Sequence, residues 1–118
     1  WVAFGSPGSG TNQFNGQSVS LCNDGKLLIA DRSNHRIVRI DDISGTGWTV
    51  LSGYMGNTFS YPIDAVMGID GRIYIADQYN HRIVKVDDLT GAGWTSIGSL
   101  GSGDYQFGSA SPNGVVQH

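Results

Sequence analysis

Residues 24–49 read DGKLLIADRSNHRIVRIDDISGTGWT and residues 70–95 read DGRIYIADQYNHRIVKVDDLTGAGWT, so one phrase is written twice, forty-six positions apart. The exchanges are mostly conservative, such as Lys26 for Arg72 or Ile40 for Val86. Duplication at a fixed period of this length marks a repeat architecture. Working outward, WVAFGSPGSGTNQF at residues 1–14 matches WTSIGSLGSGDYQF at residues 94–107, an offset of ninety-three, or about two repeat lengths. The chain therefore opens on the last strand of one repeat, and residues 112–117 read as the first strand of a third copy.

No segment sustains apolar residues at i, i+3, i+4 and i+7, and glycine interrupts nearly every window, which argues against helices. Short runs of Val, Ile, Thr and aromatics bounded by Gly, Asn, Asp and Pro argue for strands throughout. The expected strands are 1–4, 17–22, 27–30, 36–40 and 48–51, then 63–67, 73–76, 82–86 and 94–97. Asp24-Gly25 and Asp70-Gly71 supply tight hairpin turns. Asp31 is placed to accept backbone N–H groups where the chain reverses through Ser33-Asn34. The glycine-rich stretch between Phe4 and Phe14 reads as loop. Segments 27–29 and 37–38, like 73–75 and 83–84, are apolar on both faces, so each sheet is expected to lie between two others. Four-stranded antiparallel units stacked face to face around an axis are the blades of a β-propeller.

At 118 residues the chain has room for one modest core, and 39% hydrophobic residues with 18 glycines suit a turn-rich fold. A formal charge of -3 offers no clustered basic footprint, so nucleic acid is not an expected partner. No polybasic or amphipathic stretch points to a membrane surface, and no apolar run approaches the ~20 residues that span a bilayer. Cys22 is the single cysteine and reads as a small buried hydrophobe. With Trp1 in place of an initiator Met and no secretory leader, the sequence reads as a processed or excised chain.

The run Phe-x-x-Pro, an apolar strand, Asp-Gly-x-Ile-Tyr-Ile-Ala-Asp, x-x-Asn-His-Arg-Ile, a second apolar strand, Asp-Asp and Gly-x-Gly-Trp resembles the NHL repeat. Asn34-His35-Arg36 and Asn80-His81-Arg82 carry the signature corner, and the Asp-Asp-x-x-Gly-x-Gly-Trp-Thr segment is similar to bacterial multi-copy members. Gln17 departs from the pattern by standing where Pro is usual after Phe14. The resemblance implies an all-β propeller segment of four-stranded antiparallel blades spanning residues 1–118, with about two and a half blades of a six-bladed ring. Its parts are an outer strand and linker (1–16), a first full blade (17–51), a linker (52–61), a second full blade (62–98) and a linker with the start of a third (99–118). Since propellers close with about four to eight blades, the chain is expected to be a homo-oligomer or a piece of a larger propeller.

Asp31, Ser33, His35 and Arg36 gather a carboxylate, a hydroxyl and an imidazole, but they crowd one turn, and the second copy replaces the serine with Tyr79. Features present once per blade answer to what every blade needs. Arg36 and Arg82 are thus expected to pair with nearby carboxylates, and His35 and His81 to pack at their turns. Trp1, Trp48 and Trp94 are expected to be packing residues. Asp41-Asp42 and Asp87-Asp88 should end a strand and start the glycine-rich turn, because they lack the ligand spacing of a calcium loop. The two histidines lie on separate blades, so no metal site, cofactor or catalytic residue is assigned.

Function is sought where the copies differ. Tyr54, Asp64, Tyr79 and Gln17 are the candidate binding residues, with Tyr61 and Tyr105 as further aromatic faces suited to peptide or sugar contact. The expected function is a non-enzymatic interaction or scaffold module for a protein or glycan. The alternative implied by propeller enzymes is a lyase or lactonase with a metal ion in the central channel, for which Asp64 is the one obvious acid at the start of an inner strand. RNA recognition, known among animal NHL proteins, is disfavoured by the acidic charge.

Overall fold

The computed structural model describes residues 1–107. The chain starts with a linker in which β1 (Ser6–Pro7) pairs in parallel with β2 (Gln13–Phe14). The first blade follows as β3 (Gln17–Leu21), β4 (Leu27–Asp31), β5 (Arg36–Ile40) and β6 (Thr49–Leu51), hydrogen-bonded in that order. A short hairpin of β7 (Gly53–Tyr54) and β8 (Asn57–Thr58) leads to the second blade, β9 (Pro62–Met67), β10 (Ile73–Asp77), β11 (Arg82–Val86) and β12 (Thr95–Ile97). A second parallel pair, β13 (Ser99–Leu100) with β14 (Gln106–Phe107), closes the described chain. Both blades are antiparallel throughout.

The turns follow from the residues in them. Gly25 and Gly71 take φ of +85° and +81°, which a side chain rarely tolerates, and the Asp24 and Asp70 carboxylates accept the amides of Lys26 and Arg72. Between the two middle strands of each blade, one turn of 3-10 helix (Arg32–Asn34 and Gln78–Asn80) ends on a histidine in the left-handed region, His35 at φ 54° and His81 at φ 53°. Asp42 takes the amide and hydroxyl of Ser44, and Asp88 those of Thr90, which starts the Gly-x-Gly-Trp turn.

Alternation along the pleat gives each blade two apolar flanks. The trailing flank of the first blade offers Leu28, Ala30, Ile37 and Leu51, and packs on the leading flank of the second, built from Ala65, Ile73, Ile75, Val84 and Val86. Cys22, 5% exposed, closes one end of this core, and burial pushes its thiol pKa up. Three side-chain donors cross the junction: Ser18 Oγ to Ile63 O at 3.0 Å, Ser20 Oγ to Ala65 O at 2.5 Å, and Asn23 Nδ2 to Gly68 O at 3.0 Å.

Two expectations need correction. Residues 1–4 form no strand, and Trp1 is fully exposed rather than a packing residue. An outer strand needs the other strands of its own blade to pair with, and none of that blade lies among the described residues. The stretch between Phe4 and Phe14 is not all loop, because the N–H groups of Ser6 and Gly8 bond the carbonyls of Asn12 and Phe14 and so align a parallel pair. The strand expected at residues 112–117 lies outside the described residues. No described helix is long and apolar enough to cross a membrane.

Ile75→Ala should cost about 2–5 kcal/mol, since it empties a site enclosed by two sheets. Val19→Ala, at the same rung of the uncovered flank and 64% exposed, should cost under about 0.5 kcal/mol. Urea denaturation of both variants checks this, and equal losses would contradict the stacking.

Candidate functional site

The polar residues of the duplicated turn assemble around a carboxylate that is fully buried in both blades. Asp31 Oδ1 accepts the amide of Asn15 at 2.8 Å, while Oδ2 accepts Asn34 Nδ2 at 2.9 Å and Arg36 Nε at 2.7 Å. Asp77 repeats the pattern with Ser60 N at 2.7 Å, Asn80 Nδ2 at 2.9 Å and Arg82 Nε at 2.7 Å. The anticipated acceptance of a backbone N–H by Asp31 is present, but the donor comes from the preceding linker instead of the turn itself.

Each arginine then clasps that linker. Arg36 donates to the carbonyls of Ser9, Gly10 and Gln13 at 2.9, 3.0 and 2.8 Å, and Arg82 donates to Thr58 O at 2.9 Å. The guanidinium of Arg36 lies 5.5 Å from the Trp48 ring centre and that of Arg82 5.5 Å from Trp94, while Phe14 and Phe59 pack on the same two tryptophans at 5.5 and 5.2 Å. The expected Arg–carboxylate pairing and the packing roles of Trp48 and Trp94 therefore hold. The hydrogen bonds of this constellation join linker, turn and sheet.

The imidazoles differ between the blades. His35 Nδ1 accepts the amide of Tyr61 at 3.0 Å, and its ring meets Tyr61 edge-on at 4.5 Å. Tyr61 in turn lies 4.5 Å from Tyr79, which is 57% exposed, so an aromatic ladder rises from the blade junction to the surface. His81 Nδ1 is buried and has no hydrogen-bond partner among the described residues.

The four candidate binding residues are not one cluster. Tyr54 sits in the β7–β8 hairpin with its ring against Gly91, and Tyr79 caps the ladder. Gln17 opens β3, exposed, opposite Asp31. Asp64 follows a β-bulge: Asp77 pairs with Pro62 and Ala76 with Asp64, which leaves Ile63 as the extra residue. Burial raises the Asp64 pKa, against the opposing effect of the Ala65 amide that its Oδ1 accepts at 2.9 Å. Tyr105, 73% exposed, stands apart. Among the described residues no three His, Cys or Asp side chains converge. The bulge and the donors Ser18, Ser20 and Asn23 escaped the sequence reading, although serines at period two on an inner strand were the available signal.

A family model described as NHL repeat matches residues 17–40 and 59–86. These two stretches are NHL repeats, one in each blade. Each match covers the three inner strands of one blade and includes the Asn-His-Arg corner, so the Asp, Asn and Arg of each buried cluster lie within the NHL unit itself. No curated protein matches the NHL chain.

Asp77→Ala should destabilise the fold by about 3–5 kcal/mol, because it strands the half-buried Arg82 guanidinium and the Ser60 amide together. A urea midpoint near the wild-type value would contradict this role. Asp64 works in the opposite sense. Its folded pKa lies above the unfolded one, so the fold favours the protonated acid and its ionisation weakens stability as pH rises through the raised value. Asp64→Asn should therefore stabilise the protein at pH 7, with the gain vanishing in acid below the unfolded carboxylate pKa of about 3.9; thermal melts across that range measure it.

Proposed function

We propose that this NHL propeller segment is a non-enzymatic interaction and scaffold module that binds protein or glycan at the turn end of its blades and assembles with further blades. The supporting observation is that the residues shared by the two turns are engaged in building each blade, with the carboxylate–guanidinium pair at 2.7 Å in both. A reaction needs one constellation with free groups, whereas identical engaged constellations supply what each repeat requires. What differs at the same turn includes its exposed residues: Arg32 in the first blade, Tyr79 in the second.

Tyr79 offers its ring face and hydroxyl beyond a stack that holds it in place, which suits a sugar face or a peptide side chain. The lyase- or lactonase-like alternative needs acids and imidazoles brought together at the ring axis, and Asp64 is its single acidic candidate.

Glycan and peptide array screening of wild type against Tyr79→Ala tests the reading. The expected result is retention of at least one array component, weakened roughly tenfold by the substitution, the size of one aromatic contact. Stoichiometric Zn or Ca surviving exhaustive dialysis, together with lactone hydrolysis, would sink it.

A further inference from the structure

The aromatic ladder spans the junction of the two blades, and all three of its rings lie among the described residues. His35 ends the 3-10 turn of the first blade, Tyr61 immediately precedes the inner strand of the second, and Tyr79 stands on the second blade's own turn. The counterparts of Tyr61 and Tyr79 in the first blade are Gly16 and Ser33, which have no rings to stack. The surface at Tyr79 is therefore a property of this junction and not of the repeat.

One hydrogen bond orients the middle rung. Tyr61 holds φ 53°, a left-handed conformation that is rare for a bulky side chain, and its amide donates to His35 Nδ1 at 3.0 Å. The backbone around it is tied separately: Ser60 N–H donates to Asp77 Oδ1 at 2.7 Å, and Tyr79 N–H to Ser60 O at 3.0 Å. What the bond to His35 controls is thus the direction of the Tyr61 peptide, and with it the ring that lies 4.5 Å from the imidazole on one side and 4.5 Å from Tyr79 on the other. An imidazole nitrogen accepts only while it carries no proton, so the neutral ring here has its hydrogen on Nε2. A second proton sets an N–H against an N–H and breaks the bond.

The surroundings leave His35 as the group that switches. On its own turn the charged residues are Asp31 and Arg36, bonded to each other at 2.7 Å, and Arg32, whose guanidinium lies beside Gly16. Linker residues 5–16 and residues 58–63 carry no formal charge. Of the acids in the second blade, Asp77 is bonded to Arg82 at 2.7 Å, and Asp64 lies on the flank turned away from the first blade. Histidine is the side chain that ordinarily changes charge between pH 5 and 8.

We propose that His35 is a positioning residue for the Tyr79 surface: neutral, it holds Tyr61 and through it the Tyr79 ring; protonated, it releases both, so that whatever Tyr79 binds is let go in acid. The last step rests on Tyr79 being the contact residue given under Proposed function.

Proton NMR of the full chain between pH 8 and pH 5 tests the positioning without a ligand. The Tyr61 amide proton and the Tyr79 ring protons should move with one midpoint, that of the His35 imidazole protons, and the Tyr79 lines should approach those of an unstacked tyrosine. His35→Asn tolerates the left-handed φ and puts Oδ1, an acceptor that takes no proton in this range, at the place of Nδ1. In that variant, with circular dichroism confirming the fold, the pH dependence of the Tyr79 lines should vanish. The glycan and peptide arrays, repeated at pH 7.5 and pH 5, give the second readout: components that Tyr79→Ala weakens should lose roughly tenfold in acid with wild type and stay within about twofold with His35→Asn. Tyr79 lines that stay still while His35 titrates, or that move equally in His35→Asn, overturn the proposal. Coupled lines with no array component dependent on Tyr79 support the control by His35 and overturn the binding reading alone.

Discussion

A sheet that is apolar on both faces cannot stand in water alone, and this constraint shapes the rest of the molecule. Leu28, Ile37, Ile73, Ile75, Val84 and Val86 reach zero exposure because one blade lies on the next. Burying such side chains contributes about 1.5–3 kcal/mol each.

Stacking by itself sets neither the spacing nor the order of the blades; the buried aspartates do that. Asp31 and Asp77 each take one hydrogen bond from the incoming linker, one from the turn asparagine and one from the arginine that opens the next strand. A carboxylate at zero exposure is tolerable only when its oxygens are paired, so linker, turn and strand are held in one relative position or the charge is left uncompensated. This explains why the Asp, Asn and Arg of the signature recur together: losing the Asn or the Arg leaves the buried carboxylate short of a partner. These hydrogen bonds hold the shared residues in structural roles, which directs attention to the variable side chains around them.

The two blades are alike where they are internally bonded and unlike where they meet the outside. Asp64 stands on the flank where the first blade has Ser18, next to a bulge at Ile63 that the first blade lacks, and Tyr79 replaces Ser33 above the aromatic ladder. One backbone thereby presents two different surfaces, the route by which a repeat fold acquires specificity without altering its frame.

The strands, the Asp-Gly hairpins, the burial of Cys22 and the pairing of Arg36 and Arg82 with carboxylates were all legible in the sequence. They depend on local propensity, on pattern period and on neighbours a few residues apart, and the duplication states each of them twice. The parallel clasp of the linkers, the bulge, the three donors crossing between blades and the unmatched Nδ1 of His81 were decided only in three dimensions. Contacts such as Ser18 to Ile63 span forty-five residues and depend on the register of one strand against another. A shift of a single residue turns a side chain to the opposite face, and linear spacing does not record it.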